Sequence, residues 1–131
     1  MAHIRISDAS RYLGVSDDTV RRWIDQGVLT RQKDESGRAC VDGLELAKVA
    51  ASNAVLPADP ADIGRSARNR FTGIITAVTS DTVMSQVEIQ CGINRVVSLL
   101  STEAVRDLGL EPGKVATAVI KSTNVIVEVP R

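Results

Sequence analysis

Ser66-Ala67-Arg68-Asn69 stands where a polar, proline-bearing stretch ends and a run of alternating apolar residues begins. Downstream, residues 69–80 carry Phe71, Ile74, Ile75, Ala77 and Val78 with threonines between them, a composition that favours a β-strand. Asp81 interrupts the run, Val83, Val87, Ile89 and Cys91 alternate with polar residues, and Gly92-Ile93-Asn94 turns the chain into a third strand bearing Val96, Val97, Leu99 and Leu100. Ser101 or Thr102 then caps a short helix with Ala104, Val105 and Leu108, which Gly109 stops. After the turn Glu111-Pro112-Gly113, residues 115–120 form a fourth strand, and Val125, Val127 and Val129 form a fifth. Five strands with one small helix between the third and fourth outline an OB-like barrel. The loop Lys121-Ser122 joins the last two strands, so Ser66, Arg68, Lys121 and Ser122 together offer two cations and two hydroxyls. Such a donor set suits a small dianion, which is a pure acceptor of hydrogen bonds.

Upstream, residues 52–65 hold Pro57 and Pro60 with little apolar periodicity and read as a semi-extended linker between residues 1–51 and 66–131. In the first half, Ser7 caps a short helix with Ala9, Tyr12 and Leu13 on its inner face, ended by Gly14. Ser16 caps a second helix, whose Val20, Trp23 and Ile24 make an i, i+3, i+4 stripe and leave Arg21 and Arg22 facing outward. Residues 28–41 read as a hairpin, with Val28 and Leu29 going out, Glu35-Ser36-Gly37 at the turn and Ala39 to Val41 returning. Asp42 caps a third helix with Leu44, Leu46, Ala47 and Ala50 as apolar positions. The whole is therefore α+β: a winged helix-turn-helix followed by a small five-stranded barrel.

The totals narrow the functions. The 131 residues carry a formal net charge of zero, so contact with nucleic acid must come from a local patch. Arg21, Arg22, Arg31, Lys33 and Arg38 against Asp25, Asp34 and Glu35 make residues 21–38 such a patch. Aromatics are 2% of the residues, too few for a stacking platform on single strands. Cys40 and Cys91 lack neighbouring ligands, and His3 is the one histidine, which leaves no nucleophile–base pair and no metal cluster, so an enzyme is not expected. The first residues lack the apolar core of a signal peptide and no apolar run approaches the roughly 20 residues of a membrane span. A cytoplasmic protein without membrane contact is the expectation. Each half is near the lower size limit for a self-sufficient core, so self-association is expected as well.

Two resemblances sharpen these readings. Gly14-Val15-Ser16, Thr19-Val20-Arg21-Arg22-Trp23 and Gly27-Val28-Leu29 resemble the head of MerR-family and excisionase-like regulators. That likeness implies a second helix in the major groove of double-stranded DNA, with Arg21 and Arg22 in contact, Thr19 bonding a phosphate, and Arg31, Lys33 and Arg38 as wing contacts. The coiled coil by which classical MerR proteins dimerise has no counterpart here. Ser66-Ala67-Arg68-Asn69 with Gly73, Leu108-Gly109-Leu110 with Gly113, and Val119-Ile120-Lys121-Ser122-Thr123 with Val125 resemble the TOBE-type Mop domains of molybdenum-pterin-binding proteins and ModE regulators. This likeness implies molybdate or tungstate held between Mop domains of a homo-oligomer, from dimer to hexamer. It implies as donors Ser66, the Ala67 amide, Arg68, Lys121 and Ser122, with Ser101 reaching in from a neighbouring subunit. Ala104 departs from ModE, which offers a second hydroxyl there, and implies one donor fewer. The combined expectation is a molybdate- or tungstate-responsive DNA-binding regulator; the alternative is a storage protein whose head serves assembly.

Overall fold

The computed structural model describes residues 2–54, 64 and 66–130, and the chain divides into two compact units, Met1–Leu56 and Pro57–Arg131. Most of the expected linker thus lies outside the described residues, and its first two residues belong to a helix.

The first unit runs β1 (His3–Arg5), α1 (Ile6–Leu13), α2 (Asp17–Asp25), β2 (Arg31–Lys33), β3 (Ala39–Asp42) and α3 (Gly43–Asn53). Its strands form an antiparallel sheet in the order β1-β3-β2. Ile6, Ala9, Val20, Leu29, Val41, Leu46 and Val49 make the core, with Trp23 and Ile24 packed against it. The start of α2 follows the sequence closely: Ser16 Oγ accepts from the Thr19 amide, and Asp17 and Asp18 sit in the first turn. Asp42 likewise caps α3 through the Glu45 amide.

Several expectations are corrected. Strand β1 was not foreseen, because its three residues are too few to show a period. Helix α1 begins at Ile6 after Arg5, with no side-chain cap, so Ser7 is not the N-cap. Ile6 and Ala9 are buried there while Tyr12 is 69% exposed. In α3 the buried pair is Leu46 and Val49, and Leu44 is exposed. The outgoing strand of the hairpin is Arg31–Lys33 and not Val28-Leu29, since the Val28 and Leu29 amides both donate to Trp23 O. Those two residues continue the end of α2, and Leu29 drops into the core.

The second unit runs β4 (Asn69–Ser80), β5 (Met84–Cys91), β6 (Asn94–Ser101), α4 (Thr102–Leu108) and β7 (Val115–Ile120), followed by a 3-10 turn at Ser122–Asn124. The sheet is antiparallel, in the order β6-β5-β4-β7. It curls: a bulge between Ile75 and Ala77 bends β4, and edge strands β6 and β7 become facing walls of an open trough of about 490 Å³. Ile75, Val87, Ile89 and Val105 form the core. Gly73 is needed where β4 crosses β5, because a Cβ there would overlap the Gln90 carbonyl and lie 2.8 Å from Cys91 Sγ. Gly109 takes φ +65° and ends α4, while Ser101 Oγ caps it through the Ala104 amide at 3.0 Å.

The fifth strand is absent among the described residues. Val125, Ile126, Val127 and Val129 lie outside any strand and are 45%, 87%, 82% and 77% exposed. Their alternation is real, but among the described residues no strand edge pairs with them; the four-stranded sheet is a half-barrel whose inner face Val105 of α4 covers in part.

Candidate functional site

The ladder between β4 and β7 ends at the pair Asn69↔Ile120. Asn69 Nδ2 donates to Ile120 O at 3.2 Å, and one pair inward from Phe71↔Ala118 the hydroxyls of Thr72 and Thr117 meet at 2.9 Å. The two strands are therefore held in register, and Arg68 and Lys121 are the next residues on the two chains beyond the last pair of the ladder. Ser66 and Ser122 follow on the two chains, and Ser122 opens the 3-10 turn in which its carbonyl accepts from the Val125 amide. Ser66, Arg68, Lys121 and Ser122 are all exposed and Ala67 is half-buried. Arg70, opposite Val119, is a half-buried third cation that the sequence reading passed over; its i, i+2 spacing from Arg68 on a strand was the available signal. No acidic residue occurs in residues 66–72 or 119–124, and among the described residues Arg68 and Lys121 make no ion pair.

Ser101 does not join this group within one chain. It ends β6, opposite Met84 and at the far edge of the sheet, and its Oγ accepts from Ala104 N. Its hydroxyl hydrogen is left to donate outward. Thr102 beside it is bound into a hydroxyl chain: Thr102 Oγ1 donates to Asp81 O at 2.9 Å, so the Ser85 hydroxyl at 2.8 Å donates to Thr102, and Ser80 at 2.7 Å donates to Ser85.

In the first unit, Arg21 and Arg22 are exposed on α2, with Arg21 Nη1 3.6 Å from Asp18 Oδ1. Arg31 and Lys33 alternate on β2 and are exposed, and Arg38 is exposed at the end of the hairpin turn. Arg21 and Arg31 line one small cleft together with Asp25, so helix and hairpin cations share a face. Thr19 is half-buried, and its hydroxyl lies 3.0 Å from Ser16 Oγ, where it serves the cap.

Among the described residues the titratable groups with a shift are one thiol and three carboxylates. Burial pushes the Cys91 thiol up, away from the thiolate a nucleophile needs. The Asp34 carboxyl is held low by the Arg38 amide first, with help from Ser36 and Arg5; Asp81 by the amides of Met84 and Val83; Glu88 by its bond to Arg95. Among the described residues no group of His, Cys, Asp or Glu could hold a metal ion.

Comparison with known proteins finds a match in each half of the chain. Residues 65–127 match the model of the TOBE domain, and residues 5–40 match that of the MerR family regulatory proteins. Molybdenum-pterin-binding protein 3 of Clostridium pasteurianum is 40% identical over 63 residues, 47% of this chain and 93% of that protein. Molybdenum-pterin-binding protein MopA of Rhodobacter capsulatus is 34% identical over 105 residues, 79% of this chain but 39% of MopA. Among solved structures, the cytoplasmic molybdate-binding protein ModG with molybdate bound superposes with a TM-score of 0.52 at 38% identity, over 55% of this chain and 52% of that one. The chain belongs to the molybdenum-pterin-binding proteins, with a TOBE domain preceded by a MerR-family regulatory region.

Proposed function

We propose that the protein is a DNA-binding regulator that responds to molybdate or tungstate, with the oxyanion held at interfaces between TOBE domains of a homo-oligomer. The observation that carries the reading is the pair Asn69↔Ile120, which delivers Arg68 and Lys121 to one strand end. Two cations there neutralise a dianion, and Ser66, Ser122 and the Ala67 amide add neutral donors. The molybdate bound to ModG and the pterin-bound molybdenum in the names of the Clostridium and Rhodobacter relatives favour this ligand class.

The interface location follows from magnitudes. Micromolar to nanomolar affinity needs about 8 to 12 kcal/mol, and each charge-assisted hydrogen bond contributes roughly 1.5 to 3 kcal/mol. Five or six converging donors are required, and water must be excluded, because exposed ion pairs contribute little. In one chain the four donor side chains are exposed and Ser101 lies at the opposite edge. A neighbouring copy supplies both the cover and the Ser101 hydroxyl. The open trough and the uncovered valines of residues 125–129 favour the same self-association.

The head is read as a winged helix-turn-helix, with α2 entering the major groove and the β2–β3 hairpin as wing. Anion capture then fixes how heads are spaced on DNA, and DNA tightens anion binding by the same factor as anion tightens DNA binding. The storage reading is favoured by one fact, that the tail alone spans 93% of the Clostridium relative. A mobility-shift assay on the chain's own promoter DNA separates the two: a shift that changes with molybdate supports the regulator, and no shift with or without molybdate leaves storage.

A further inference from the structure

Two acids, Asp34 and Glu35, interrupt the cations of the hairpin between Lys33 and Arg38. A carboxylate beside a DNA backbone repels it, so both would be expected to weaken binding. Their surroundings differ. Glu35 is exposed at the turn and makes no hydrogen bond or ion pair among the described residues. Asp34 has a side chain 21% exposed, and its carboxylate is turned into the hairpin. Oδ1 accepts from the Ser36 amide at 2.8 Å and from the Arg38 amide at 3.0 Å, and Oδ2 lies 3.5 Å from Arg5 Nε on β1. The main chain closes the same loop, with the Asp34 amide donating to Arg38 O and the Gly37 amide to Asp34 O. One carboxylate thus ties both ends of the turn to each other and to the neighbouring strand, while Lys33 and Arg38 make no ion pair among the described residues.

We propose that Asp34 is a positioning residue for DNA binding: it fixes the wing turn so that Lys33 and Arg38 meet the phosphate backbone together. This rests on the reading of the head as a DNA-binding unit. The sign of one mutation sets it apart from simple charge. Removing a negative charge from a DNA-facing wing tightens binding if charge alone matters, and Asp34→Ala also frees Arg5. Positioning demands the opposite.

The test is fluorescence anisotropy of the full chain on a random-sequence 30-base-pair duplex, titrated at several salt concentrations. Expected are about twofold tighter binding for Glu35→Ala, about fivefold or greater loss for Asp34→Ala, and a salt slope shallower by about one, the effect of one lost phosphate contact. Asp34→Asn keeps an acceptor for the two amides and is expected to bind at least as well as the unaltered chain. Asp34→Glu conserves charge but sets the carboxylate a methylene too far out, and it weakens binding too; this variant carries the test should the alanine variant fail to fold. Tightening by Asp34→Ala to match Glu35→Ala overturns the proposal and leaves the DNA reading standing. Absence of salt-dependent binding by the unaltered chain, with Arg21→Ala no different, overturns the DNA reading itself.

Discussion

Among the described residues Arg68 and Lys121 make no ion pair, and Asn69 staples the last pair of the two strands they extend. On the proposed reading, replacing Arg68 by alanine removes a charge and up to two charge-assisted hydrogen bonds to the anion, a loss of roughly 3 to 6 kcal/mol. Arg68→Ala is therefore expected to weaken molybdate binding by at least about 100-fold while leaving ligand-free DNA affinity unchanged. Arg21→Ala is expected to do the reverse, weakening DNA binding about tenfold with the anion isotherm unaltered. Calorimetry and anisotropy on both variants check this; equal damage to both activities by either change contradicts the separate assignments. The pattern of cations and hydroxyls was readable from residue types alone. The role of Asn69 was not, because it depends on which carbonyl faces it 51 positions further along the chain.

At the scale of elements, turns and strand crossings decide stability. The β4–β5 turn is held by Asp81 Oδ1, which accepts from the Val83 and Met84 amides at 2.8 Å, much as Asp34 holds the β2–β3 turn. With Asp34, Asp81 and Glu88 all lowered by their partners, their contribution is complete above the ordinary carboxylate range and is lost as pH falls through the lowered folded values. Thermal melts are expected to be flat from pH 7 to about 5 and to fall below about pH 4; a decline already under way at pH 6 would contradict this. Gly73→Ala forces a Cβ into the Gln90 carbonyl and is expected to destabilise the second unit by about 1 to 3 kcal/mol, seen as a lower urea midpoint. Strands β4 to β7 and helices α2 to α4 were legible because each carries a sustained period or a side-chain cap. Strand β1 was too short for one, and the Val28-Leu29 assignment failed because two apolar residues after a helix look the same whether they extend or fold back. Residues 125–129 show how far periodicity reaches: alternation marks a segment that can pair, not the partner it pairs with.

For the molecule as a whole, a net charge of zero is divided into a basic head face and a basic strand end, and both readings depend on those local concentrations. The second unit leaves an apolar trough open and the valines of residues 125–129 exposed, and on the proposed reading association covers them. Val127→Asp, which places a charge on this exposed apolar run, is expected to shift sedimentation towards smaller species; an unchanged assembly would remove residues 125–129 from the interface. The MerR-family region and the TOBE tail were legible from motifs at fixed spacing; a site shared between copies was implied by the Mop resemblance and not by spacing, because Ser101 lies at the opposite edge of the sheet from Arg68 and Lys121. Titration calorimetry of the intact protein with molybdate, tungstate and sulfate tests the anion cage most directly. Saturable binding of molybdate and tungstate, little of the smaller sulfate, and loss of both in Arg68→Ala are predicted; comparable heat from all three anions, or heat that survives the loss of Arg68, would contradict it.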